Sequence, residues 1–199
     1  MSALKALFLK PVSIPNELAI KMNFKELKII DKRNLTLLCV EFTFELPKKF
    51  KRSFNPQAGQ YVTLKISDEK VTQARNYSIS KFKPEQNTFS IAVKRVEKGW
   101  FSNRLINGFQ IGDKLQISEP QGDFLISKKD LKTYKQFVFL SGGSGITPML
   151  NLIVHLKQQA YTGDVILIYG NKNEDEIIYK AELDQLQKEW PNFKIIYGL

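Results

Sequence analysis

Two kinds of apolar pattern divide the chain. From residue 24 to about residue 126, short runs rich in β-branched and aromatic residues occupy 24–30, 35–44, 61–66, 76–80, 88–96 and 114–118. Turn signals separate them at Asp31-Lys32, Pro56, Gly59, Ser67-Asp68, 84–87, Gly112-Asp113 and 120–122. Many short strands at this spacing predict a closed barrel or a sandwich. Residues 101–107, behind Gly99, predict a short helix or a single helical turn. Past Tyr134 the pattern changes. The run 137–140 is continuously apolar, as for a strand buried on both faces. Glycines follow, and Pro148 opens a helical segment to about Ala160. A second buried strand is predicted at 164–169, an amphipathic helix at 177–189 and a third strand at 193–197. Strand and helix in alternation imply a parallel sheet with right-handed crossovers.

These patterns predict a leader over 1–22, containing at most one short helix, with Met22 as a candidate start. A barrel domain follows over 23–130 and a partial α/β domain over 131–199. Three strands and two helices leave one face of a parallel sheet uncovered, so the α/β unit is expected to be incomplete at its C-terminus.

Composition narrows the class. Of 199 residues, 43% are hydrophobic and 25% charged, which is enough apolar material for a core. No apolar run approaches the ~20 residues of a membrane span. The stretch 6–9 is too short for a secretory signal and is closed by Lys10-Pro11. A cytoplasmic protein is expected. The single cysteine, Cys39, leaves no CxxC pair and no four-cysteine iron–sulfur cluster. A single histidine makes a zinc site or a Ser-His-Asp triad hard to build. Cys39 reads as a small core residue and His155 as structural.

Charge is unevenly placed. Residues 1–134 hold 24 Lys and Arg against 13 Asp and Glu, whereas 135–199 hold 6 against 7. A basic half suggests phosphate, nucleic acid or an acidic partner, or simply a solvated lysine-rich surface. Lys48, Lys49, Lys51 and Arg52 are candidates for steering an acidic partner, with a solvated turn as the alternative.

Three segments carry candidate chemistry. In 141–148, a buried strand runs into Gly142, Gly143 and Gly145 and then into a helix. Thr147 is expected as the N-cap and Pro148 as the first helical residue. Free N–H groups and the helix dipole would then face the loop and bind a phosphate or pyrophosphate. At the end of the next strand stands Lys172 where an acid would bind a ribose 2′-OH, which favours a phosphorylated dinucleotide if the lysine is not merely solvated. In the second segment, Arg75 offers a planar fork for phosphate, Tyr77 a face for a flat ring and Ser78 a hydroxyl at the ring edge. In the third, Gly99 and Ser102 at a helix start could hold a second phosphate.

The ordered set Arg75-x-Tyr77-Ser78, Gly99-x-x-Ser102 and Gly143-x-Gly145-x-x-Pro148 resembles the ferredoxin–NADP reductase superfamily over about 24–199. Gly59-Gln60-Tyr61 and Pro120-x-Gly122-x-Phe124 fit the same pattern. The resemblance implies an antiparallel, Greek-key, FAD-binding β-barrel followed by an NAD(P)-binding α/β domain. The stretches 89–96 and 169–172 are most similar to the reductase subunits of phenylacetyl-CoA epoxidase and related oxygenases.

The resemblance implies that Arg75 contacts the FAD pyrophosphate, Tyr77 stacks on the isoalloxazine and Ser78 sits near its reactive edge. Gly99 and Ser102 would bind FAD phosphates, and Val93, within 89–96, joins the cofactor-binding set. Gly143, Gly145 and Pro148 would shape the nicotinamide site, with Thr147 where nicotinamide meets flavin. Tyr77, Ser78 and Thr147 are thus the expected reacting-edge residues. NADPH or NADH is the expected co-substrate, and an iron–sulfur domain or oxygenase component the expected electron acceptor. No iron–sulfur cluster is expected within this chain.

Family members continue with further strands, a Cys-Gly-Pro segment and, in this subgroup, an iron–sulfur domain. The sequence contains none of these. A FAD-binding fragment without its own NAD(P)H turnover therefore stays open. So does a basic nucleic-acid-binding barrel, which would need aromatic and basic residues interleaved on an exposed strand face. The aromatics Phe42, Phe44 and Phe89 read as core instead.

Overall fold

The computed structural model describes residues 4–7, 22–50, 53–69 and 71–199. In chain order its elements begin with β1 (Leu4–Leu7), β2 (Phe24–Thr36), β3 (Cys39–Glu45), β4 (Tyr61–Ser67), β5 (Thr72–Lys83) and β6 (Thr88–Lys94). Next come α1 (Trp100–Gly108), β7 (Lys114–Ser118), α2 (Lys128–Thr133) and β8 (Gln136–Gly142). The last are α3 (Ile146–Gln158), β9 (Asp164–Gly170), α4 (Lys180–Glu189) and β10 (Phe193–Gly198).

Six strands close into an antiparallel barrel in the order β2-β3-β6-β5-β4-β7. β4, β5 and β6 are successive neighbours, whereas β3 returns beside β6 and β7 beside β4, which is Greek-key connectivity. Period-two alternation fills the interior. Val40, Phe42 and Phe44 of β3 point inward with Phe89 and Ile91 of β6, while α1 turns Phe101, Leu105 and Ile106 into the same core. Cys39 is buried too, but it belongs with the second half's core and not with the barrel's interior.

The hairpin lies elsewhere than the sequence suggests. Asp31-Lys32 marks a break in register inside a longer β2, and the chain turns at Leu37-Leu38. Lys32 serves the strand because its Nζ donates to the Ile106 and Phe109 carbonyl oxygens, each at 2.8 Å. A helix unforeseen in the linker, α2, forms because Ser127 and Asp130 complete a capping box.

The second half is a parallel sheet in the order β1-β8-β9-β10. Leu4–Leu7, within the expected leader, is a strand that runs parallel to β8, with Leu4 beside Gln136 and Leu7 beside Phe139. Residues 8–21, where a leader helix would fall, lie outside the described residues, as do Lys51 and Arg52. α3 and α4 are crossovers of one hand in one direction, so both lie on the same face. They cover Phe137, Phe139, Val165, Leu167, Tyr169 and Phe193. On the other face Leu140, Ile168 and Ile196 line up in register at 43%, 39% and 48% exposure. The double burial expected of the 137–140 strand is therefore one-sided.

The halves meet along α3 and the segment before α4. Asn151 Nδ2 donates to the Ile79 carbonyl at 2.9 Å. Gly59, at φ +96°, packs so tightly that a Cβ there would collide with the Phe124 carbonyl oxygen and come within 3.3 Å of Leu152 Cδ2 on α3. Tyr179 precedes α4 in left-handed backbone, φ 62°, which costs a bulky residue about 1–2 kcal/mol. Its hydroxyl donates to buried Glu41 Oε1 at 2.8 Å. A hydrogen bond to a charged group contributes about 1.5–3 kcal/mol net, enough to offset that strain.

Candidate functional site

β5 changes partner halfway along its length. Thr72 to Ser78 pair with β4, and from Ile79 onward the strand pairs with β6. At β6 the residues Val93 and Lys94 pair with β3 alone. The two strands therefore splay apart where Arg75, Tyr77 and Ser78 sit, leaving a gap in the barrel wall. α1 starts at this gap: the Phe101 ring lies 6.1 Å from the Tyr77 ring and 5.9 Å from the Arg75 guanidinium. The cap of α1 is Gly99, with no side-chain hydrogen bond, so the first N–H groups remain free for an anion. A Cβ on Gly99 would come within 2.8 Å of Val96 Cβ, which explains the glycine. Ser102 Oγ accepts from the Val96 N–H at 3.0 Å and keeps its own proton to donate.

Arg75 is exposed and held in place by the Ala74 carbonyl at 2.8 Å and Gln73 Oε1 at 3.0 Å. Tyr77 and Ser78 are half-buried. Burial pushes the Tyr77 phenol well above its ordinary value, with the Arg75 charge opposing. An aromatic face, a guanidinium and a helix N-terminus thus share one cleft, as a flat ring carrying a pyrophosphate would require. Val93 stands on β6 beside this gap. Its side chain is wholly buried in the barrel core, so only its backbone edge faces the gap.

On the sheet side, Gly143–Gly145 forms a 3₁₀ turn that runs directly into α3. This turn starts the helix early, so Gly145 is the N-cap, Thr147 the second residue and Pro148 the third. Thr147 is not the cap. Its Oγ1 donates back to the Ser144 carbonyl at 3.0 Å, and the side chain is buried. Pro148 still loses nothing, because the first turn's N–H groups have no intrahelical partner. Gly143 takes φ +48°.

A cavity of about 630 Å³ opens beyond the carboxyl ends of β8, β9 and β10, lined by Gly142, Gly143, Ser144, Asn171, Lys172 and Glu176, with Lys94 reaching in from the barrel. Ser141 Oγ and Asn171 Oδ1 are buried without a hydrogen-bond partner in the protein, as expected of groups that await a ligand. Glycines end all three strands. A Cβ on Gly142, Gly170 or Gly198 would meet backbone only at 3.8–3.9 Å, so packing does not require glycine there and the open space favours close ligand approach. Lys172 is exposed at the rim.

The two clefts adjoin. Lys94 Nζ lies 2.7 Å from Glu176 Oε2, and a Cβ on Gly143 would lie 3.7 Å from that same Nζ. The Lys94 hydrogen bond holds the Glu176 carboxyl below its usual value. Thr147 stands one turn before Asn151, which binds the Ile79 carbonyl next to Ser78. Of the residues that sequence reasoning missed, Lys94 and Asn171 fall inside the stretches 89–96 and 169–172. Ser141 opens the segment 141–148, and no spacing marks Asn151 or Glu176. His155 lies roughly two turns further along α3, half-buried, with burial lowering its pKa. Burial pushes the Cys39 thiol up to about 12, so it stays protonated and unreactive. Phe42, Phe44 and Phe89 lie inside the barrel, which removes the stacking surface a nucleic-acid reading would draw from them.

Comparison with known proteins gives two family matches along the chain. Residues 26–126 match the model of the oxidoreductase FAD-binding domain, and 139–198 that of the oxidoreductase NAD-binding domain. The chain is 35% identical over 135 residues to the ferredoxin reductase component of 3-ketosteroid-9-alpha-monooxygenase from Mycolicibacterium smegmatis, covering 67% of this chain and 37% of that protein. It is 30% identical over 169 residues to one component of the 1,2-phenylacetyl-CoA epoxidase of Escherichia coli, covering 84% and 47%. The chain thus spans less than half the length of either relative. Ferredoxin-NADP+ reductase from Plasmodium falciparum superposes with a TM-score of 0.75 at 27% identity, covering 89% of this chain and 70% of that one. No helix among the described residues is long and apolar enough to cross a membrane.

Proposed function

Since the chain belongs to the FAD- and NAD-binding oxidoreductases of the ferredoxin reductase-like family, we propose that it takes hydride from NAD(P)H onto FAD and passes the electrons to an iron–sulfur or oxygenase partner. The reading is supported most by the adjacency of the two clefts, one with an aromatic face beside a helix N-terminus, the other a glycine turn with orphaned polar atoms. The residues present fit both groups. Arg75, Gly99 and Ser102 would hold the FAD phosphates and Tyr77 its ring, with Ser78 at the ring edge and the Val93 backbone alongside. Gly143, Gly145, Thr147 and Pro148 would shape the nucleotide site, and Ser141 and Asn171 would gain partners there. When bound, FAD supplies the hydride acceptor and the one-electron chemistry. The chain's own residues bind, orient and exclude water, and none needs to act as a general acid or base.

Lys172, exposed at the cavity rim, is our candidate for a 2′-phosphate, which favours NADPH. The similarity to an oxygenase's reductase component supports an acceptor of that kind, and Lys48 and Lys49 on the barrel offer positive charge toward it. A narrower reading, FAD binding without turnover, draws on the open face of the sheet. Visible absorption of the purified protein, followed by anaerobic addition of NADH or NADPH, tests both. Flavin bleached by either nucleotide supports turnover, and flavin that stays oxidised supports the narrower reading. A colourless protein that takes up no FAD overturns both. Tyr77→Ala should weaken FAD retention roughly tenfold or more through lost stacking, and unchanged affinity would displace the ring from Tyr77.

A further inference from the structure

The glycine turn is held from the barrel side by two sets of hydrogen bonds, joined through the Ile178–Tyr179 backbone, that end on the Gly143 carbonyl at the second cleft. The line begins at Glu41, only 4% exposed, on the outer face of β3. A carboxylate can only accept, so the single proton of Tyr179 Oη goes to Glu41 Oε1 at 2.8 Å. Ser80 Oγ lies 2.8 Å from the same phenolic oxygen and 3.1 Å from the Ser90 carbonyl oxygen, and its single proton can serve only one of them. The Ile178 N–H, adjoining Tyr179, donates to Tyr169 Oη at 3.2 Å. Tyr169 Oη in turn donates to the Gly143 carbonyl at 2.9 Å. Cations brace the barrel end. Lys81 Nζ lies 2.9 Å from Glu41 Oε1 and 3.2 Å from Glu182 Oε1 of α4, and Arg33 bridges Glu41 Oε2 and Glu182 Oε1 at 2.8 and 2.6 Å. Tyr179 keeps its left-handed backbone at the centre of this line, a local strain that persists only where surrounding contacts over-determine it.

We infer that Tyr179 and Tyr169 are positioning residues: a two-tyrosine relay by which Glu41 and Ser80 of the barrel set the place of the Gly143 turn, and so the register of nucleotide against flavin. The inference rests on the redox reading given above. Both phenols are wholly or almost wholly buried, and burial raises both pKa values, so the relay keeps its protons at neutral pH. Ser80 is two residues beyond Ser78 on β5, and Tyr169 is two residues before Asn171 at the cavity. The relay therefore connects the strand of the first cleft with the floor of the second.

Hydrogen–deuterium exchange on the chain without added nucleotide tests the relay independently of activity. Tyr179→Phe should speed exchange at the Ile146 amide, whose N–H is held by the Gly143 and Ser144 carbonyls, about tenfold, the loss of one buried hydrogen bond. Tyr161→Phe, which removes a comparable hydroxyl bonded to the Tyr134 carbonyl at 2.9 Å, should leave the turn unchanged. Should Tyr179→Phe fail to fold, Ser80→Ala removes one bond of the same line and should act in the same direction. In the loaded protein, Tyr179→Phe should keep FAD uptake and lower the rate of flavin reduction at saturating nucleotide about tenfold, with KM little changed. Turn exchange equal to wild type in both Tyr179→Phe and Ser80→Ala overturns the relay. If the wild type itself is not reduced by either nucleotide, the redox reading falls while the exchange data still decide the relay.

Discussion

In the barrel, strand edges pair around a closed ring and the apolar side chains fill one interior. In the second half, four parallel strands turn Phe137, Val165, Leu167 and Tyr169 toward two helices and leave Leu140, Ile168 and Ile196 to solvent. Closure makes burial in the barrel a property of sequence parity. An inward position such as Phe42 is sealed by the ring itself. In the open sheet, burial depends on which face the crossovers happen to cover. Residues 165–169 are apolar without interruption, yet their exposure alternates because both helices sit on one side. Where the barrel does leave a gap, at the β5–β6 splay, it places its candidate ligand residues. The sheet places its own at the strand ends.

The largest effect should come from the seam between the halves. Gly59→Ala must abandon φ +96° and displace the Phe124 carbonyl, so a loss of about 3–5 kcal/mol in denaturant unfolding is expected. A loss below about 1 kcal/mol would mean that the seam yields freely. Next comes the asymmetry of the sheet itself. Leu167→Ala, in the covered face, should cost about 2–5 kcal/mol and Ile168→Ala, one residue along, less than about 1. Equal costs measured by urea melts would show that the second face is covered in solution.

The pH dependence of the seam is a smaller effect with a definite sign. Burial depresses the His155 pKa below 6.5, so its contribution is present above that value and is lost as pH falls below it. For Glu182, burial opposes ionisation but the Arg33 and Lys81 contacts win. For Glu176, the Lys94 hydrogen bond dominates. Both folded values lie below 4.5, so these contributions hold above pH 4.5 and fade beneath it. Melting temperature should therefore fall in two stages on acidification. His155→Gln should remove the first stage, and a single stage in wild type would refute the assignment. The smallest effect belongs to the hairpin tip. Leu37, 95% exposed, should tolerate serine within about 0.5 kcal/mol, checked by the same melts.

Much of the fold is legible in the sequence because it rests on local chemistry. The run 114–118 becomes β7 unchanged, and Gly112-Asp113 turns the chain just before it, as expected. Asp31-Lys32 misleads because a bulge and a hairpin use the same residues, and only the distant Ile106 and Phe109 carbonyls decide between them. Thr147 misleads because a 3₁₀ turn ahead of α3 moves the cap to Gly145. Arg75, Tyr77, Gly99 and Gly143 are legible as chemistry. Lys94, Glu176 and the Glu41–Tyr179 contact are not, since each depends on how two separately patterned halves dock.

The short strand β1 has a consequence for assembly in time. Leu4 pairs with Gln136, roughly 130 residues later in the chain, and the whole barrel is made between them. At ordinary translation speeds of about 5–20 residues per second, the first strand emerges some ten seconds before its partner. The barrel can finish folding in that interval, while the sheet must wait for its two ends to find each other. A ribosome-bound chain arrested with β7 outside the exit tunnel and Gln136 still inside it should thus show a protease-resistant barrel with Leu4–Leu7 still cleavable.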